Sequence, residues 1–328
     1  TLAQVFGQPV QFAKDCIGPE AIALAKNLQP GEILLLENLR FHDGEEKNDA
    51  TFAKALASLA DIYINDAFSC SHRAHASVVA ITQNLPAIAG RGMQLELEAL
   101  GRVLGHPKHP LMAIVAGSKV STKLGVLQNL SQKVDFLVVG GGMANTFLKT
   151  LGFPIGQSLC ELEIMDTAHS ILKAAKISGC EVILPQDVVV TLNIKSESMR
   201  QSVSISDVQP EDKIVDVGER TIETICSKLA TCATVVWNGP VGVIEIPPFD
   251  VGSVEIARGI AELTQKGSLI SVAGGGDTLA ALAHAGCSEK LTYRSTAGGA
   301  FLEWLEGKTL PGVAALEAAK LVYKKGVC

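Results

Sequence analysis

The stretch Ile270-Ser271-Val272-Ala273-Gly274-Gly275-Gly276-Asp277-Thr278-Leu279-Ala280-Ala281 decides how the rest of the chain is read. An apolar run breaks into three glycines, then Asp-Thr, then an Ala/Leu-rich pattern, which predicts a strand, a tight turn and a helix. Glycines at such a turn let main-chain N–H groups approach a bulky anion with no side chain in the way. The helix that follows adds unpaired N–H groups and the positive end of its dipole. Asp277 offers oxygen ligands for a magnesium ion carried on phosphates. Taken alone, the stretch also reads as a plain turn with Asp277 as an N-cap.

The motif recurs. Val138-Val139-Gly140-Gly141-Gly142-Met143-Ala144-Asn145-Thr146 repeats it, and Ile114-Val115-Ala116-Gly117-Ser118-Lys119-Val120-Ser121-Thr122-Lys123 adds two lysines. Ser295-Thr296-Ala297-Gly298-Gly299-Ala300 is a fourth version. In a parallel α/β sheet such turns gather at the carboxyl ends of the strands, where ligands bind. Four of them fit a polyphosphate site better than four unrelated loops.

Composition sets the frame. A chain of 328 residues is long for one core, so two domains are expected. A hydrophobic fraction of 47% with 19% charged residues is that of a soluble globular chain. The net charge of −6 argues against a nucleic-acid binder, which would normally show a basic face, so an anion must be held by local lysines, arginines and backbone dipoles. No apolar run approaches the roughly 18 residues of a spanning helix, which argues against a membrane protein. Thr1-Leu2-Ala3-Gln4-Val5-Phe6 lacks the pattern of a secretory signal. The eight cysteines, Cys328 included, contain no C-x-x-C pair and read as the reduced, mostly buried thiols of a cytoplasmic protein. Cys70, in a polar loop, is the reactive candidate.

Short apolar runs alternate with amphipathic stretches, the pattern of a parallel α/β fold. Strands are expected at 33–36, 61–64, 111–116, 134–139, 182–184, 214–217, 233–237 and 269–273. Over 93–105, Leu95, Leu97, Leu100, Val103 and Leu104 form a helical face, and His106-Pro107-Lys108-His109-Pro110 cannot continue it. That helix is the expected connector, with a domain boundary near Pro107. The polar, Ser-rich segment 192–212 reads as a surface excursion with short strands.

Two basic loops stand in the first domain. Glu37-Asn38-Leu39-Arg40-Phe41-His42 puts Arg40 at a strand's carboxyl end, and Arg73 follows the next strand with His72 and His75 beside it. Arginine's planar fork suits phosphate and carboxylate oxygens, so arginines on adjacent strand ends make a small-anion site. The competing account pairs Arg40 with Glu45 or Glu46. With no third ligand in sequence, His72 and His75 are expected to place an anion or cap backbone rather than hold a metal.

In the second domain Lys119 and Lys123 are four apart, which on a helix start sets them on one face. Trp237-Asn238-Gly239-Pro240-Val241-Gly242 supplies a rigid turn able to wall a nucleotide, with Glu245 free for ribose hydroxyls; a plain loop is the alternative. Familiar fingerprints are broken or missing. Asn145 and Leu279 stand where a dinucleotide motif needs its third glycine, which disfavours a nicotinamide-dependent oxidoreductase. No Walker P-loop string and no protein-kinase H-R-D or D-F-G occurs.

Together these strings resemble the phosphoglycerate kinase family. Leu35 to His42, Asp66-Ala67-Phe68 with His72-Arg73-Ala74-His75, Lys119-Val120-Ser121-Thr122-Lys123, Gly140-Gly141-Gly142-Met143-Ala144, Trp237 to Gly242 and Gly274-Gly275-Gly276-Asp277-Thr278 look like its signatures, in its order. The resemblance implies two Rossmann-like domains with parallel sheets joined by a connecting helix. They would be 1–92 for phosphoglycerate, rejoined by the tail 307–328, the connector 93–106, and 107–306 for nucleotide. It implies reversible phosphoryl transfer from 1,3-bisphosphoglycerate to ADP, giving 3-phosphoglycerate and ATP, by a monomer that closes about a hinge. Arg40, Arg73 and His72 would bind phosphoglycerate. Lys123, Gly117, Gly141, Asn238, Pro240, Glu245, Gly275, Gly276, Asp277 and Thr278 would bind nucleotide, Asp277 holding Mg2+. Lys119, Gly276 and Gly299 would surround the group in flight.

The sequence departs from the family at Ser69, Ala116 and Ala297, where glycine is usual. The family's opening strand with its Asp/Asn loop, its catalytic arginine and its His-Leu-Gly-Arg-Pro loop also have no counterpart here. The chain is therefore expected to be a fragment of the enzyme or its resolved part. A nucleotide-binding chain without turnover is the alternative outcome.

Overall fold

The computed structural model describes residues 1–195 and 200–325. Cys328 and the last residues of the expected tail lie outside the described residues. The chain divides into two compact units, 1–95 with the residues from 309 onward, and Glu96–Lys308.

In the first unit, β1 (Val10–Ala13) and β2 (Ile33–Leu36) pair in parallel, Val10 opposite Ile33 and Ala13 opposite Leu36. The helix Gly18–Asn27 connects them and carries proline in its first turn, where the missing N–H costs nothing. β3 (Tyr63–Asn65) and β4 (Ala87–Ala89) form a second parallel pair. Before β3 runs the helix Ala50–Ala57, whose N-cap Asp49 accepts the Phe52 N–H at 2.7 Å. Such a cap contributes about 1 kcal/mol. The buried face of this helix, Phe52, Ala53, Leu56 and Ala57, packs with Cys16, Ala76, Ala80 and Ile81 into the unit's core. The helix Pro311–Lys325 joins here: Gly312 donates its N–H to Ser71 O at 2.9 Å.

The second unit holds β5 (Leu111–Ala116), β6 (Phe136–Gly140), β7 (Glu181–Ile183), β8 (Asp187–Thr191), β9 (Gln201–Ser204), β10 (Lys213–Val217), β11 (Thr234–Asn238), β12 (Ile270–Gly274) and β13 (Tyr293–Ser295). Among the described residues its main sheet is parallel throughout, in the order β13-β12-β11-β5-β6-β7. This is the doubly wound order of a Rossmann sheet, with the strand order reversing between β5 and β11. β5 is buried along its whole length, as a central strand covered on both faces must be. Trp237, Ile114, Val235, Ile256 and Ile260 belong to the core beside it.

One expectation fails here. The run 214–217 was expected to continue the parallel series, but it lies in β10, which pairs antiparallel with β8, and β8 pairs antiparallel with β9. A short buried run carries no mark of its neighbour's direction. Direction is set by the connection, and antiparallel strands need no crossover helix. The described part of the 192–212 excursion thus contributes β9 to a small sheet with a core of its own, built on Val188, Val190, Ile205 and Val208, while 196–199 lie outside the described residues. The helix expected over 93–105 forms as Arg91–Leu100 followed by a π-helical turn, Gly101–Gly105.

Candidate active site

Two glycine turns begin at the carboxyl ends of β5 and β11, at Gly117 with φ 149° and Gly239 with φ 97°. A Cβ on Gly239 would lie 1.9 Å from Ala116 O, so the close approach of these two strand ends requires glycine. Lys123 bridges the two strand ends: its Nζ donates to Ala116 O at 2.7 Å and to Asn238 O at 3.2 Å. Burial pulls this ammonium down to about 8, against the opposing charge of Asp277. Lys119 and Lys123 do not share a helix face. The helix begins only at Leu124, after the 3-10 turn Ser121–Lys123, which Glu161 anchors by accepting from the Ser121 N–H and hydroxyl. Lys119 is left exposed in the loop before it.

The β12 turn packs against this pair. Gly275, with φ 98°, is the N-cap, and Gly276, Asp277 and Thr278 form the first turn of the helix Gly276–His284. Asp277 is therefore not the N-cap; it sits on the first turn, exposed. The first N–H groups of a helix have no partner within it, and no side chain of the N-cap Gly275 takes them here. The Thr278 hydroxyl donates to Gly274 O at 2.9 Å and accepts the Gly239 N–H at 2.7 Å, so it pins two turns together. Asn238 donates its side-chain N–H to Gly274 O at 2.7 Å, while its Oδ1 is buried without a hydrogen-bond partner.

The glycines after β6 do a different task. Gly141 donates to Val241 O at 3.1 Å and Met143 to Gly117 O at 3.0 Å, so these helix-start N–H groups lock neighbouring turns and do not face an anion. A Cβ on Gly141 would meet Gly117 O at 2.7 Å. The fourth turn is open: Gly298, with φ 52°, precedes the helix Gly299–Leu305, and Gly299 is exposed.

A cavity of about 330 Å³ adjoins these turns. Gly117, Gly141, Pro240, Glu245 and Asp277 line one part of it, and Leu159, Val188 and Ile194 give it an apolar wall. That wall comes partly from the antiparallel sheet, through Val188 of β8, a connection that no local sequence pattern marks. Asp216 also lines it, unforeseen. Its carboxylate accepts from Gly252 N at 2.7 Å and Val217 N at 2.8 Å, and burial pushes it up to about 7. A lone acid in the apolar run 214–217 is the signal in the sequence.

In the first unit, Arg40 lies in the 3-10 turn Leu39–Phe41, whose N-cap Asn38 accepts the Arg40 N–H at 3.0 Å. Its Nε is 4.0 Å from Glu46 Oε1 with both side chains more than half exposed, a contact too weak to hold the guanidinium. Glu45 is buried and engaged elsewhere: it accepts from Ser77 N at 2.9 Å and Ser77 Oγ at 2.5 Å, clamping the loop that carries Arg73. Arg73 Nε donates to His72 Nε2 at 3.2 Å, which leaves the ring proton on Nδ1, a buried atom with no partner. Arg40 and Arg73 do not follow adjacent strands: β2 pairs with β1 and β3 with β4. Among the described residues, His72 and His75 gather no third metal-ligating group.

A family model described as phosphoglycerate kinase matches residues 1–308. The chain belongs to this family. It is 55% identical over 314 residues to the phosphoglycerate kinase of Rhizorhabdus wittichii, covering 96% of this chain and 79% of that one. The enzyme of Xanthobacter flavus is also 55% identical, over 94% of this chain and 78% of its own. The solved structure of phosphoglycerate kinase from Coxiella burnetii superposes with a TM-score of 0.89 at 41% identity, covering 97% of this chain and 79% of that one. The three positions where this chain lacks the family's usual glycine are accommodated. Ala116 stands opposite Gly140 in the sheet register, whose missing side chain leaves room. Asn48 is the one non-glycine with positive φ among the described residues, so Ser69, Ala116 and Ala297 do not occupy left-handed backbone.

Proposed function

We propose that the protein catalyses reversible phosphoryl transfer between 1,3-bisphosphoglycerate and ADP, giving 3-phosphoglycerate and ATP. The observation that carries this is Lys123, half-buried at the point where the strand order reverses, beside Asp277 and a helix N-terminus. A nucleotide's base takes the apolar wall of Leu159, Val188 and Ile194, its ribose meets Glu245, and its phosphates meet Lys123 and the N–H groups of 276–278. Thr278 contributes main chain, because its hydroxyl is already engaged. The unpaired Oδ1 of Asn238 is an acceptor for a ligand donor. Gly117, Gly141 and Pro240 shape the cavity rather than bind charge.

Magnesium fits these residues. It is usually held by one or two carboxylates together with substrate phosphates, and Asp277 supplies one exposed carboxylate on a helix first turn. When bound, the ion neutralises phosphate charge. Arg40, Arg73 and the Nδ1–H of His72 hold the phosphate of 3-phosphoglycerate. Its carboxylate is already ionised at neutral pH, so transfer needs no general base. Lys119, exposed, with the main-chain N–H groups of Gly276 and Gly299, stabilises the charge of the transferring group. A coupled kinase assay beside a Mg-ADP titration tests the proposal. Transfer together with binding supports it, and binding without transfer favours a nucleotide-binding role.

A further inference from the structure

We propose that Asp15, Cys16 and His42 form a site for a borderline-soft divalent transition-metal ion of the zinc type, separate from the residues assigned to substrates. One donor atom from each residue, a carboxylate oxygen, a thiol sulfur and a ring nitrogen, lies within 4.8 Å of the other two. No other such group is found among the described residues. The fold places them deliberately. Asp15 and Cys16 leave the carboxyl end of β1, and His42 follows the turn that leaves β2, its hydrogen-bonded neighbour.

Each ligand is oriented before any ion arrives. His42 Nε2 lies 2.7 Å from Asp15 Oδ1, and the same oxygen accepts the Cys16 N–H at 2.6 Å. The His42 ring is fixed by stacking on Phe52, with centroids 5.2 Å apart. Cys16 is fully buried, while the side chains of Asp15 and His42 are 47% and 31% exposed. An ion can therefore enter from solvent, reach the sulfur beneath, and keep a water as its fourth ligand.

The donor set selects the ion. Sulfur, imidazole nitrogen and carboxylate together suit zinc, whereas magnesium and calcium take oxygen shells. With bonds of about 2.0–2.3 Å in a tetrahedron, neighbouring donors stand roughly 3.3–3.6 Å apart. The imidazole and carboxylate would separate by less than about 1 Å from their present contact, a side-chain adjustment. Binding releases the Cys16 thiol proton to solvent and displaces the Nε2 proton that His42 donates to Asp15, which the neutral ring takes up again at Nδ1. The bound ion ties the end of β1 to the turn that bears Arg40, two residues before His42.

Cobalt(II) titrated into the reduced, metal-free chain is the test. The expected result is a thiolate-to-cobalt charge-transfer band that saturates at a single equivalent and is discharged by zinc. Cys16→Ser should abolish that band, and Asp15→Asn should keep it while weakening cobalt binding by about tenfold or more. No band in the unaltered chain, or a full band in Cys16→Ser, overturns the proposal. Should Cys16→Ser fail to fold, Asp15→Asn decides, and unchanged cobalt affinity there refutes the site.

Discussion

Raising the pH should strip the nucleotide from this protein through Lys123. Burial lowers its ammonium from 10.5 to about 8, a shift of roughly 3 kcal/mol against the charged form. A phosphate charge placed about 4 Å from Nζ returns roughly 4 kcal/mol at an effective dielectric constant near 20. The two are comparable, so a bound phosphate restores the ordinary pKa and the complex holds its proton where the free protein has lost it. The sign follows. Phosphates are already ionised above about pH 7. Beyond pH 8 or so the free protein must first take up a proton to bind, and affinity falls about tenfold per pH unit. Calorimetric titration with Mg-ADP from about pH 7 to about pH 9.5, in buffers of different ionisation enthalpy, should show that fall together with proton uptake. Lys123→Met should bind more weakly at neutral pH and lose the slope. A flat affinity in the unaltered protein, or the same slope in Lys123→Met, would refute the reasoning.

Thr278→Val keeps the shape but orphans the buried Gly239 N–H, and should lower stability by about 1–3 kcal/mol in urea unfolding, with weaker ADP binding. Gly274 O keeps its bond from Asn238, so a loss much beyond that range would mean Thr278 does more than pin the turns. The raised pKa of Asp216 favours its protonated form in the folded state, so its contribution is present at low pH and lost as pH climbs from about 4 to about 7. Over that window the stability of the unaltered chain relative to Asp216→Asn should fall by up to roughly 4 kcal/mol, and a constant difference would show that Asp216 is not held neutral by burial. Lys119→Ala should reduce kcat by roughly 10²–10³ with little effect on ADP affinity, since it meets charge that appears only in transfer. Unchanged kcat with a raised KM for ADP would remove Lys119 from that role.

The sheet of the second unit was legible because its strands are short apolar runs ending in glycine, and β5, β11 and β12 fall within a residue of where the pattern sets them. Local pattern did not reach what depends on distant partners. β1 was missed because Gln11 interrupts its apolar run, and β8 and β10 pair antiparallel although their residues look like those of the parallel strands. At the site, residue types pointed to the right turns but not to their division of labour. Gly141 and Gly142 appear in sequence equivalent to Gly275 and Gly276, yet the first pair packs backbone on backbone and Gly276 faces open space. Lys119 and Lys123 look like a helical pair, yet Lys123 is half-buried at the strand ends and Lys119 is exposed in the loop, because the helix starts later than their spacing implies. Glu45 read as a partner for Arg40; only the fold reveals that it clamps Ser77, thirty-two residues away.

The most direct measurement detects the acyl phosphate itself. The protein is incubated with 3-phosphoglycerate, Mg-ATP and hydroxylamine, which traps a carboxyl-phosphate as its hydroxamate. The expected result is hydroxamate formed in step with ADP, only when 3-phosphoglycerate and ATP are both present, and strongly reduced in Lys119→Ala. ATP consumed without hydroxamate, or no ATP consumed while Mg-ADP binds normally, would contradict phosphoryl transfer to a carboxylate as this protein's function.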